Sequence, residues 1–362
     1  MTALRNDASG RQGAPTIKVV HIINSLPSLG GAERLVLDLA TRATHRPVPV
    51  ITWWDADNSL LRQDDSSALD LIALRPFRLA NLRRAVRVVR DSQVVHFHLF
   101  PSQYLIHLFR KPSLFTEHNT WNRRREYKLL RPLERHCYRR FSKVIAISDA
   151  VGHSLCDWLR ETPPRLETIE NGIALDRFSR RLRTCPTAEV KIGMAARMCD
   201  QKDHDTLIKA LALLPARYRL RLAGDGPLRP AIERLAAQLG VSARVEFVGV
   251  VTDMPAFYES LDIYVQSTHW DGFSLVVVEA MGSGLPTLAS DVVGVRDVVA
   301  NSQALFPLGD APRLAERIAT IAENPDIYGQ MSASALARAH RFDIQRTAQE
   351  YQRAYEEVAT QR

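Results

Sequence analysis

Trp270-Asp271-Gly272-Phe273-Ser274-Leu275-Val276-Val277-Val278-Glu279-Ala280-Met281, closing with Gly284-Leu285-Pro286, is the stretch on which the reading of this chain turns. Asp271-Gly272 is turn chemistry, because glycine reaches backbone angles closed to other residues. Ser274 stands as an N-cap and predicts a helix from about Leu275 through Glu279. Gly284 then ends it, and Pro286 leads into a strand, Thr287-Leu288-Ala289-Ser290. Asp271 therefore precedes a helix N-terminus, with Glu279 about two turns further along. The free N–H groups and positive dipole end of a first helical turn suit a phosphate. Two carboxylates around such a site suit a sugar nucleotide, its hydroxyls on the acids and its diphosphate on the helix end. The ordinary alternative is a solvated helix. Val276, Val277 and Val278 speak against it, since an unbroken apolar run marks a largely buried helix whose glutamate needs partners.

The 362 residues suggest two domains, and 46% hydrophobic with 24% charged residues is an ordinary globular composition. Residues 1–16 lack an apolar core segment and read as a disordered tail, not a signal peptide. No stretch approaches the roughly 18 to 20 apolar residues of a membrane span. Cys137, Cys156, Cys185 and Cys199 show no metal or disulfide spacing, so a reducing, cytoplasmic location is the default expectation.

Upstream, Ile17 to Ile23 is a short apolar strand, followed by a loop ending in Gly30-Gly31 and an amphipathic helix, Ala32 to Ala40. Strand, glycine loop and helix make an anion-binding layout, but not the G-x-G-x-x-G of a dinucleotide cofactor. Val50 to Leu74 alternates poorly. Arg75 to Arg90 is a helix candidate with six arginines, no acids, and Leu79, Leu82, Val86 and Val89 on one face. In the strand Val94 to His98, His96 and His98 share a face, and without a third ligand they read as structural. Ser113 to Thr116 is a strand ending in Glu117-His118-Asn119, where parallel sheets place ligand residues. From Arg123 to Lys143, nine basic residues interleave with Tyr127, Leu130, Leu133, Cys137, Tyr138 and Phe141, predicting a basic amphipathic surface. Residues 1–185 carry 30 basic and 18 acidic side chains, a net +12, against a net −4 for the remainder. This asymmetry points to an anionic membrane surface or a phosphate-bearing acceptor; no nucleic-acid module accompanies the charge. After a linker ending at Pro186, a strand from Val190 to Ala196 leads to Arg197 and Lys202, a fork and a point charge able to clamp a diphosphate.

Asp271 and Glu279, with seven residues between them, and the wording G-F-S-L…E-A-M-G-S-G-L-P resemble the E-x7-E signature of family-4 retaining glycosyltransferases. Arg197 and Lys202 match that family's R-x4-K pair, Gly30-Gly31-Ala32-Glu33-Arg34 its acceptor loop, and Asn171-Gly172-Ile173 its turn at the domain junction. The resemblance covers most of the chain from Ile17 and departs at the first acid, where Asp stands one methylene short of the usual Glu. It implies an α/β chain of GT-B fold: two Rossmann-like α/β/α domains across a cleft, residues 17–180 for the acceptor and 187–343 for the donor. A helix at 344–362 would cross back onto the first domain. The implied activity is transfer of a sugar, with retention, from a nucleotide-diphosphate sugar to an acceptor hydroxyl. Arg197, Lys202, Gly272, Phe273, Ser274, Leu275 and Glu279 would hold the donor, and Gly30, Gly31, His118 and Asn119 the acceptor. Asp271, His118, Arg197 and Lys202 would carry the chemistry, without metal or cofactor. A lipid-linked saccharide at the cytoplasmic membrane face is the expected acceptor, as in surface-polysaccharide assembly. A sugar-nucleotide epimerase or hydrolase, and a non-catalytic nucleotide-sugar binding module, are the competing readings.

Overall fold

The computed structural model describes residues 17–26, 30–54, 67–75 and 77–360, so the tail 1–16, Pro27 to Leu29 of the glycine loop, and residues 361–362 lie outside the described residues. Two all-parallel sheets organise what is described. The first contains β1 (Val19–Ile23), β2 (Val48–Thr52), β3 (Leu69–Ala73), β4 (Val94–His98), β5 (Ser113–Glu117), β6 (Lys143–Ala146) and β7 (Leu166–Thr168), in the order β3-β2-β1-β4-β5-β6-β7. The second contains β8 (Val190–Ala195), β9 (Tyr218–Ala223), β10 (Val245–Gly249), β11 (Ile263–Gln266), β12 (Thr287–Ser290) and β13 (Leu305–Phe306), in the order β10-β9-β8-β11-β12-β13. Strands such as β1, β4 and β5 are buried along their whole length, which fits apolar runs covered by helices on both faces. In each sheet the order reverses beside the first strand, between β1 and β4 and between β8 and β11. Ligands bind beyond the carboxyl ends of strands at such switch points.

The helix Leu275–Gly282 packs into the second domain's core through Val277, Val278, Ala280 and Met281. That explains a helix with almost no polar face. The last helix, Ile344–Thr360, leaves the second domain and lies on the first sheet, burying Tyr351, Ala354, Tyr355 and Val358 against Val19, Leu35, Val94, Leu114 and Ile145. Tyr351 and Tyr355 reach the sheet's polar interior, the first hydrogen-bonding Thr116 at 3.1 Å and the second His96 at 2.9 Å.

The structure corrects the reading of Arg123 to Lys143. This stretch is two short 3-10 turns, Arg123–Glu126 and Lys128–Leu130, and the helix Arg131–Tyr138. Only 9% of the Arg124 side chain and 7% of Arg125 are exposed. Arg124 pairs with Glu134 at 2.7 Å and Arg125 with Glu117 at 3.4 Å. Glu134 also accepts bonds from the Trp158 indole and the Tyr104 hydroxyl, and Glu117 accepts one from Tyr138. Burial alone would raise the Glu117 carboxyl; Arg125 and Arg124 override it and hold it below its ordinary value. These two arginines neutralise buried acids and so present no free basic face. The Arg123 side chain lies outside the described residues.

Candidate active site

Asp271 and Lys202 meet across the second domain. Lys202 Nζ lies 2.7 Å from Asp271 Oδ2, and the Gly272 N–H donates to Oδ1 at 2.9 Å, so both carboxylate oxygens are engaged. Arg197 sits on the same loop, exposed, and its side chain makes no hydrogen bond or ion pair among the described residues. The turn Gly224-Asp225-Gly226 fixes this loop from behind: the Met198 N–H donates to the Asp225 carbonyl at 3.0 Å. A Cβ at position 226 would fall 2.3 Å from the Met198 carbonyl oxygen, so only glycine lets the two strands of chain approach this closely. Ser274 occupies the N-cap position of the helix Leu275–Gly282 but makes no side-chain cap bond; its hydroxyl is buried with no partner. An orphaned hydroxyl beside the N–H groups of a first helical turn is an arrangement that suits an anion. Phe273 is buried against Phe342 and anchors the turn without facing solvent.

Glu279 accepts a hydrogen bond from the Tyr258 hydroxyl at 2.9 Å. Burial raises its carboxyl above the ordinary value, although the Tyr258 bond and the charges of Arg34 and Arg177 work the other way. Arg34 belongs to the opposite domain, on the helix Gly31–Arg42 that follows the glycine loop, where it forks onto Asp38 with two bonds of 2.9 Å. Gly30 is that helix's N-cap, and a Cβ on Gly31 would stand 3.4 Å from the Leu275 side chain. Gly31 thus abuts the start of the helix Leu275–Gly282.

Closure centres on Asp271-Gly272. Ser148 of the first domain donates to the Gly272 carbonyl at 2.8 Å, and the rings of Trp121 and Trp270 meet edge-on at 5.7 Å. A Cβ on Gly272 would lie 2.8 Å from the His118 carbonyl oxygen, and one on Gly294 (φ +89°) would lie 2.4 Å from that of Asp271. His118 is therefore brought to the same turn as Asp271, while Asn119 is exposed.

His118 also ends a buried chain of imidazoles. Its Nε2 shares a hydrogen bond with His98 Nδ1 at 3.3 Å, and His98 Nε2 shares one with His21 Nδ1 at 3.0 Å. The Nδ1 of His118 is buried without a partner. Burial lowers His118 to about 4, although Glu117 pulls it upward, and lowers His21 to about 3 with a further push from His45. Both rings are neutral at physiological pH. His21 escaped the sequence reading, which found no third histidine beside His96 and His98. The parallel register of β1 on β4 sets His21 directly opposite His96. Ring nitrogens of the three lie within 4.8 Å of one another, a spacing a metal could use. Yet His96 bonds Tyr355 and Thr116, and His98 bonds His21 and His118, so both of those rings already have both nitrogens in protein hydrogen bonds. The donor set fits a hydrogen-bonded cluster.

Residues 29–177 match the family described as Glycosyltransferase Family 4, and residues 189–324 match Glycosyl transferases group 1. The chain is 30% identical over 154 residues to the putative glycosyltransferase EpsD of Bacillus subtilis, covering 41% of this chain and 40% of that one. It is 28% identical over 180 residues to the lipopolysaccharide core biosynthesis mannosyltransferase LpsB of Rhizobium meliloti, covering 46% and 51%. The matches thus span about half the length of these curated relatives. The fold superposes on Anabaena Alr3699/HepE in complex with UDP, with a TM-score of 0.81 at 20% identity over 94% of this chain and all of the other. It also superposes on the sucrose-phosphate synthase of Thermosynechococcus elongatus, with a TM-score of 0.77 at 20% identity over 94% and 99%. The fold is GT-B, two Rossmann-like domains in apposition.

Proposed function

We propose that this chain is a retaining glycosyltransferase, moving a sugar from a nucleotide-diphosphate sugar to an acceptor hydroxyl. The observation that carries the reading is the convergence, at one interdomain turn, of the Lys202–Asp271 pair, the orphaned Ser274 hydroxyl at a helix start, and the backbone of His118, whose buried ring keeps an unpartnered Nδ1. Arg197, Lys202 and the helix N-terminus would stabilise negative charge growing on the leaving diphosphate. The protein then supplies the positive charge itself, and no metal is required. Glu279 would hold the ribose, Asp271 the donor sugar hydroxyls, and neutral His118 a hydroxyl at the acceptor side. The leaving phosphate would help deprotonate the acceptor. Alr3699/HepE was captured with UDP and with UDP-glucose, which makes UDP-sugars the first donors to test. LpsB acts in lipopolysaccharide core biosynthesis, and with the basic first domain this favours a lipid-linked saccharide acceptor on the cytoplasmic side of the membrane. No helix of the described chain is long and apolar enough to cross a membrane.

A thermal-shift screen of nucleotide diphosphates and their sugars, with and without EDTA, tests the donor site, because a bound ligand raises apparent stability by RT ln(1 + [L]/Kd). The reading requires a nucleotide-selective, EDTA-resistant shift that disappears in Lys202→Ala. Absence of any shift on folded protein would refute it, and free sugar released without acceptor would reveal a hydrolase. One observation favours a binding module instead: both Asp271 oxygens are already bonded, on a side chain one methylene short. Tight nucleotide binding without turnover, restored to turnover by Asp271→Glu, would decide for that reading.

A further inference from the structure

The first domain contains a large apolar cavity of about 1120 Å³. Its wall on one side is the helix Leu79–Asp91, which buries only Ala85 and turns Leu79, Leu82 and Val86 toward the open space. Leu105 and Leu108 of the 3-10 segment Ser102–Leu108 face it, and Ile22 of β1 forms part of the floor. Val86 is 62% exposed and Leu108 75%, unusual values for apolar stripes at core spacing. The volume exceeds the roughly 300–1,000 Å³ of a drug-sized pocket. Among the described residues, Arg78, Arg90, Arg110 and Lys111 line it and no Asp or Glu does, and Arg78 and Arg110 have no ion-pair partner. Ser102, also in the lining, donates to the His98 carbonyl at 2.7 Å, which ties the cavity to the strand end that leads through His98 to His118.

We propose that this cavity receives the hydrocarbon chain of a lipid phosphate that bears the acceptor saccharide, with Arg78 and Arg110 meeting the phosphate. An apolar trough whose described lining carries four cations and no acid is complementary to a molecule that is apolar along its length and anionic at its head. Its connection to His98 places such a head group on the acceptor side of the cleft. The word "acceptor" rests on the glycosyl-transfer reading; the lipid-phosphate site stands without it.

The test is calorimetric titration of the whole protein with farnesyl phosphate, with farnesol and inorganic phosphate as partial probes and UDP thermal shifts in parallel. Val86→Asp sets a charge into the apolar wall at an already exposed position, and should weaken farnesyl phosphate by about tenfold or more. Arg110→Glu should weaken it by roughly threefold to tenfold and abolish the preference over farnesol. Nucleotide shifts should be unchanged in both variants. Failure of farnesyl phosphate to bind, or equal binding by Val86→Asp, would overturn the proposal. So would a concentration-dependent dimer that Val86→Asp dissolves without any lipid binding, since a second copy would then cover this face. Loss of vesicle flotation in Val86→Asp with farnesyl phosphate binding intact would likewise overturn it, in favour of a bilayer surface. Lipid binding without any nucleotide shift would instead refute glycosyl transfer and leave the lipid site standing.

Discussion

Gly272→Ala adds one methyl group at the point where the two domains touch. The new Cβ would lie 2.8 Å from the His118 carbonyl oxygen, 3.3 Å from Val151 Cγ2 and 3.6 Å from the Thr120 nitrogen. The first of these is backbone and cannot swing aside. Gly272 cannot retreat freely either, because Ser148 holds its carbonyl at 2.8 Å and Gly294 backs onto Asp271. The simplest relief is for the domains to part by about half an ångström or more. Overpacking of this kind costs about 1–3 kcal/mol, which would lower the closed-to-open ratio roughly 5- to 150-fold. The strain falls between domains and neither core is altered. Melting temperature and UDP or GDP binding on the second domain should therefore stay near wild type, nucleotide affinity within about threefold. Initial rates of sugar transfer should fall by up to that factor, since His118 and Asp271 meet only in the closed state. Small-angle scattering should report a larger radius of gyration. Wild-type rates would refute the argument by showing that the turn yields freely. A parallel loss of nucleotide binding would refute it differently, by assigning Gly272 to the donor pocket itself.

Glu279→Gln should stabilise the protein while weakening donor binding. Burial raises the Glu279 carboxyl, so folding disfavours its charge; the penalty is absent below the ordinary carboxylate range and appears as pH rises through it. Gln can still accept from Tyr258, so a melting temperature higher at pH 7, with the gap closing toward pH 4, is the expected profile. The buried histidines act with the opposite sign. His118, lowered to about 4, takes up its proton later than in the unfolded chain, so its stabilisation is full above about pH 6.5 and fades toward pH 4. At pH 5 that loss amounts to about 2 kcal/mol from His118 alone, and His21 adds to it. A melting temperature that stays level from pH 7.5 to 5 would contradict this, and His118→Gln should flatten the slope. Gly329 lies exposed in the helix Pro325–Ala339 with nothing near its Cβ position, so Gly329→Ala should raise stability by about 0.5–1 kcal/mol without changing activity.

The turn and helix around Asp271 were legible because their signals are local. Turn, helix start and second carboxylate all fall within nine residues, Asp271 to Glu279, and the helix Leu275–Gly282 follows from the valine run and Gly284. Alternating strands and helices likewise announced two parallel α/β domains, the GT-B arrangement observed. Strand order was not written locally. His21 lies 75 residues from His96, and only the placement of β1 beside β4 makes them neighbours. The basic stretch misled for the same reason: the acids that neutralise Arg124 and Arg125 are Glu134, from the next helix, and Glu117, from the end of β5.

Glu117-His118-Asn119 shows how far the physics could have been pushed from sequence. The three residues read as one polar group at a strand end, yet they enter three environments. Side chains alternate across a strand, so neighbours at its end leave toward opposite faces. Glu117 turns into the buried pocket of Arg124, Arg125 and Tyr138, His118 turns back along the imidazole chain, and Asn119 passes into solvent. Within this triplet the buried acid steadies the arginine-rich segment, while the histidine keeps its Nδ1 free at the turn where the domains close. Two adjacent polar residues thus divide the work: Glu117→Gln should destabilise the first domain by leaving the buried Arg125 without its carboxylate, whereas His118→Gln should leave the fold intact at neutral pH and silence transfer. A Glu117→Gln protein that melts as wild type does would show that Arg125 is held well enough by the Thr120 carbonyl and the Ser154 hydroxyl, and the division argued here would fall.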